Sequence, residues 1–116
     1  MKRDDKVYLQ HILDAISRIE SYMQGVNEEA FQANPLVQDG VIRQLGIIGE
    51  AVRQMSRSVR ESYPNVAWQD IAGMRNKLIH DYLGVDLEIV WQTAKEDLPE
   101  LNKVIQAILA EINNEK

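Results

Sequence analysis

Between Val41 and Val59 the apolar side chains Val41, Leu45, Ile48, Val52, Met55 and Val59 return every three or four residues. That spacing lays a single stripe along an α-helix but scatters the same residues over both faces of a strand, so it dictates helix. A similar period runs through Val7, Ile12, Ile16, Ile19 and Met23, and again through Leu98, Leu101, Val104, Ile105, Ile108, Leu109 and Ile112. No stretch gives a convincing strand. An all-α chain follows, its amphipathic helices burying their stripes against one another.

Local punctuation divides the helices. The first spans about Asp4 to Met23 and stops at Gly25. Asn27 is a suitable N-cap for a short helical turn through Phe31, closed at Asn34-Pro35, where the proline disfavours helix in the preceding residue. A long helix is then expected from Pro35 until Tyr63-Pro64, and a further helix begins at Ala67-Trp68 and ends at Gly84. Asp86 should cap the last helix, with Pro99 kinking it or starting a new segment after Asp97. Four principal helices, one additional short helix and short connections point to an up-and-down four-helix bundle in a single domain, 1–116.

Composition limits what such a bundle does. The chain has 116 residues and no cysteine, which fits a reducing compartment and removes thiolate catalysis, thiolate metal sites and disulfides. Without a continuous apolar stretch long enough for a signal peptide or membrane span, the expected location is the cytoplasm, with no membrane partner. The net charge of −5 argues against a general nucleic-acid coat protein, yet it is unevenly spread. Residues 41–82 hold six cations (Arg43, Arg53, Arg57, Arg60, Arg75, Lys77) against four anions (Glu50, Glu61, Asp70, Asp81), a balance of +2 that leaves −7 elsewhere. A locally basic middle sits inside an acidic protein; ordinary helix-surface charge also accounts for it.

On the long helix, Asp39, Arg43, Glu50, Gln54 and Arg57 gather opposite the apolar stripe. Gly46 and Gly49 interrupt it. Glycine within a helix costs about 1 kcal/mol relative to alanine, so two of them suggest close approach of another helix, from this chain or from a second subunit.

The chemistry-bearing residues concentrate in Arg75-Asn76-Lys77-Leu78-Ile79-His80-Asp81-Tyr82. A guanidinium can hold a phosphate bidentately, and an imidazole can move a proton near neutrality. Around the helix, Ile71, Met74, Leu78 and Tyr82 form a buried stripe with Arg75 projecting along it, whereas Asn76 and His80 point elsewhere. One helix surface does not focus Arg75 and His80 on one atom. Either the helix deforms before His80, or a second subunit completes the site and supplies a second histidine. A structural account stays open too: Arg75 pairing with Glu50 or Asp97, His80 exposed at a helix end, Tyr82 in the core. His11, among Leu9, Ile12 and Leu13, reads as structural. No paired-His, Cys/His or EF-hand pattern suggests a metal, no Gly-rich loop a nucleotide phosphate, and no cofactor is expected.

The string Arg75 to Tyr82 matches the R-x4-H-x-Y signature and resembles the HepT-like HEPN-domain ribonuclease toxins of HEPN/MNT toxin–antitoxin systems. The resemblance extends to Gln38–Ala51, to Trp68 with Ile71-Ala72-Gly73-Met74, and to Gly84-Val85-Asp86-Leu87-Glu88-Ile89-Val90-Trp91. It implies a HEPN-like helical homodimer acting as a metal-independent ribonuclease on messenger or transfer RNA. It makes Arg75 and His80 catalytic in a cleft shared by two subunits, with Asn76 orienting substrate or site. Tyr82 matches a tyrosine that a cognate MNT-domain nucleotidyltransferase antitoxin modifies with AMP. The alternative is a non-catalytic helical dimer that docks or regulates a nucleotidyltransferase.

Overall fold

A computed structural model describes residues 3–74 and 86–114, and every regular element among them is helical. α1 (Arg3–Met23) turns Leu9, Ile12, Ile16, Ile19 and Met23 inward, each at most 4% exposed. Val7, expected on this stripe, is instead 47% exposed. The inward face runs back from Ile12 through Leu9 to Asp5, and Val7 falls to its side. Gly25 closes the helix with φ 73°, a left-handed conformation that costs glycine little.

α2 (Glu28–Gln32) is capped as expected, Asn27 Oδ1 accepting from Ala30 N–H at 2.8 Å. Its Phe31 is fully buried, with ring centroid 5.5 Å from that of Trp91. α3 (Pro35–Gln54) starts two residues beyond α2, with Asn34 capping Val37 N–H and Pro35 in the first turn, where its missing N–H costs nothing. Gln38 Nε2 donates to the Phe31 and Gln32 carbonyls at 2.8 and 3.0 Å, which satisfies the end of α2. Where α1 and α3 meet, a Cβ on Gly40 would lie 3.2 Å from the Tyr22 ring, so the absent side chain permits that approach.

The expected single helix from Pro35 to Tyr63-Pro64 is corrected. Met55 is extended at φ −68°, ψ 149°, and a separate α4 (Arg57–Ser62) begins after Ser56. Two contacts make the break: Ser56 Oγ accepts from Val59 N–H, and the Asp5 carboxylate of α1 accepts from both Ser56 N–H and Ser56 Oγ–H at 2.8 Å. Met55 and Val59 stay buried on either side, so the apolar period passes through the break unaltered. Arg57 therefore belongs to α4, outside the α3 face where the spacing had put it.

α5 (Trp68–Ala72) follows, with Trp68 Nε1–H donating to the Tyr63 carbonyl at 2.9 Å. α6 (Leu87–Gln92) is capped by Asp86, which accepts from Glu88 and Ile89 N–H groups at 3.0 and 3.3 Å. A π-helical segment, Thr93–Asp97, joins it to α7 (Leu98–Asn114). The new α-helical run thus begins after Asp97, as Pro99 led one to expect. Proline at 99 cannot donate to the Lys95 carbonyl, and the wider π turn removes the demand for that bond.

α1 packs along α3 and α7, and α5 leans on α3. Ile12, Ile16, Val41, Ile48, Val52, Ile105 and Ile108 are fully buried among these helices. Each removes enough apolar surface from water to contribute about 1.5–3 kcal/mol. The expected single helix from Ala67-Trp68 to Gly84 is corrected as well: α5 ends at Ala72, where Gly73 forms a turn as its C-cap, and the Gly84 stop lies outside the described residues.

Candidate functional site

Arg75, Asn76, His80 and Tyr82 lie outside the described residues. What the structure supplies is the platform on either side of them in sequence. α5 rests on α3, its Trp68 is 6% exposed and fixed by the Tyr63 carbonyl, and Ile71, Ala72 and Met74 are half-buried against the core. The chain arrives at position 75 from this anchored turn.

The α3 surface beside it is polar. Gln54 Nε2 donates to Glu50 Oε1 at 3.3 Å, Arg43 and Asp39 are exposed, Gly46 is half-buried and Gly49 buried. Arg53 reaches further than its neighbours. Its Nη2 donates to the Ala72 carbonyl at 3.2 Å, at the C-terminal end of α5, where carbonyls carry partial negative charge. Arg53 is one of the six central cations but not one of the residues that the spacing gathers on the polar face. A helical wheel places it at the edge of that face, and only the packing of α5 on α3 brings it to Ala72.

On another side of α5 a cavity of about 290 Å³ is lined by Ala67, Asp70, Ile71, Met74, Thr93, Asp97, Leu98 and Leu101. The π-helical segment contributes Thr93 and Asp97 to this wall. Asp70 and Asp97 are exposed, and their carboxylates make no hydrogen bond or ion pair among the described residues. Glu50 is engaged, so the two carboxylates once considered as partners for Arg75 sit in different settings. His11 is exposed on α1, edge-on to Tyr8 with ring centroids 6.1 Å apart. Among the described residues no three His, Cys, Asp or Glu side chains are grouped to hold a metal ion, and no helix is long and apolar enough to cross a membrane.

The sequence is similar to known proteins along nearly its full length. "Gamma-glutamylcyclotransferase and putative RNase MJ0434" of Methanocaldococcus jannaschii is 40% identical over 116 residues, which is 100% of this chain and 52% of that protein. "Putative RNase MJ1216" of the same organism is 40% identical over 111 residues, covering 96% of this chain and 92% of the relative. "Probable ribonuclease HepT" of Thermococcus cleftensis is 43% identical over 101 residues, covering 87% and 92% respectively. The chain thus spans about half the length of the first relative and most of the other two. No solved structure matches it. The family described as "Ribonuclease HepT-like" matches residues 12–108, a span that includes α2 to α6 and most of α1 and α7. This all-α chain belongs to the HepT-like ribonuclease family.

Proposed function

We propose that the chain is the toxin of a toxin–antitoxin pair, a metal-independent endonuclease of messenger or transfer RNA held in check by a cognate MNT-type nucleotidyltransferase. One observation carries the reading: R-x4-H-x-Y stands at Arg75 to Tyr82 inside a chain that matches the HepT-like ribonucleases over residues 12–108. The ribonuclease names of its relatives support the reaction class. Residues 1–116 act as one HEPN-like domain in the cytoplasm, where the RNA is.

In this reading the 2′-hydroxyl of RNA attacks the adjacent phosphorus while its proton passes to a base. The P–O5′ bond breaks and the 5′ oxygen takes up a proton, leaving a 2′,3′-cyclic phosphate and a 5′-hydroxyl. Arg75 stabilises the charge that builds on the non-bridging oxygens of the pentavalent phosphorane, and His80 moves protons. In a symmetric dimer, one His80 accepts and the other donates, so a cleft shared by two subunits provides both functions from one residue type. Asn76 orients the phosphate or the imidazole. AMP attached to Tyr82 adds bulk and negative charge beside the cleft, repelling RNA.

The test is cleavage of RNA by the purified chain with chelator present. Arg75→Ala and His80→Ala proteins that remain folded dimers should each lose at least about 10²-fold in rate, the usual contribution of a positioned proton-transfer or charge-stabilising group. Retained cleavage in either sinks the assignment of that residue. An inert wild type would point to the non-catalytic dimer that docks a nucleotidyltransferase.

A further inference from the structure

The cations of the described basic middle are not equivalent. Arg57 Nε lies 4.0 Å from Glu61 Oε1 on α4, and Arg60 is half-buried. Arg43 is exposed on α3 ten residues before Arg53, so about 15 Å of helix separates them. Arg53 alone among these four hydrogen-bonds to α5, through Nη2 to the Ala72 carbonyl at 3.2 Å.

That contact leaves most of the guanidinium unused. Arginine carries five N–H donors; one is engaged here, and no carboxylate pairs with the group among the described residues. The Ala72 bond holds an otherwise mobile side chain in place, so part of the entropy cost of presenting its charge to a ligand is already met. Ala72 stands three residues before Arg75, and three peptide links span at most about 11 Å. We infer that Arg53 is a phosphate-binding residue for the RNA strand, holding a backbone phosphate neighbouring the one that is cleaved; this rests on the ribonuclease reading above.

A backbone contact of this kind has a signature that a purely structural arginine lacks. Each phosphate neutralised on single-stranded nucleic acid releases counterions, adding about 0.7 to the slope of log affinity against log salt. The experiment measures binding of a fluorescein-labelled, 2′-O-methylated RNA oligonucleotide of mixed sequence across a monovalent salt series, beside cleavage of the unmodified RNA. Arg53→Gln should lower the slope by about 0.7 and weaken binding roughly threefold to tenfold at 0.15 M salt, regardless of sequence. Its cleavage defect should fall mainly on KM. Arg53→Lys keeps the charge and should keep the slope, while circular dichroism and Tm show both variants folded. An unchanged slope in folded Arg53→Gln, beside an active wild type, overturns the role of Arg53 alone. A wild type that neither binds nor cleaves RNA overturns both this inference and the ribonuclease reading.

Discussion

Two junctions tie neighbouring elements together, and they are built differently. At Ser56 the tie is a carboxylate, Asp5, only 1% exposed, which takes two hydrogen bonds at 2.8 Å and clamps the α3–α4 break onto α1. At Ala72 the tie is one hydrogen bond of 3.2 Å from the exposed side chain of Arg53. A buried charge must be satisfied, so losing either partner at the first junction leaves a desolvated polar group without compensation. Water can replace the bond at the second. Stability is thus invested in the α1–α3–α7 body and in the Asp5–Ser56 clamp, while the Arg53–Ala72 bond adds little to the hold that buried Trp68 gives α5, and the Arg53 cation stays available.

That contrast can be broken by substitutions on each side of it. Ile48→Ala, in the fully buried stripe of α3, should cost the most, about 3–4 kcal/mol in urea unfolding, since it removes buried surface and leaves a cavity. Asp5→Ala should cost about 2–3 kcal/mol by removing a charge-assisted pair and orphaning the Ser56 N–H. A loss below about 0.5 kcal/mol there would dissolve the distinction between the two junctions. Gln44→Met tests the body from the opposite direction. Gln44 is 4% exposed and its Oε1 has no hydrogen-bond partner among the described residues, so an apolar side chain of similar length should be neutral or stabilise by up to about 1 kcal/mol. Destabilisation beyond about 1 kcal/mol would show that its amide does structural work. Arg53→Gln should have the smallest effect on stability, within about 0.5 kcal/mol, even as it changes the salt dependence of RNA binding.

Much of the architecture was legible because it rests on local rules. The period of three to four residues, the caps at Asn27 and Asp86, the stop at Gly25 and the new run after Asp97 each follow from steric and hydrogen-bonding preferences acting within a few residues. The break at Ser56 was not, because Met55 and Val59 keep the helical period across it. Nor was the exposure of Val7, since a stripe admits Leu9 or Val7 until the face toward α3 is chosen. The candidate site divides the same way. Its residue types and their order, Arg75, Asn76, His80 and Tyr82, are plain in the chain, as is the family resemblance that gives them roles. Ile71 and Met74 do pack against the core, whereas the reach of Arg53 to Ala72 spans nineteen residues and no periodicity encodes it.

By itself the sequence determined that this protein is helical, where most of its helices start and stop, and that Arg75, Asn76, His80 and Tyr82 stand together within eight residues. Those are consequences of backbone geometry and side-chain type, which act at short range. Tertiary structure alone decided that a carboxylate near the start of the chain is buried against Ser56, 51 residues away, and that an arginine on α3 reaches the end of α5. Such pairings depend on which surfaces exclude water together, a property of the packed whole.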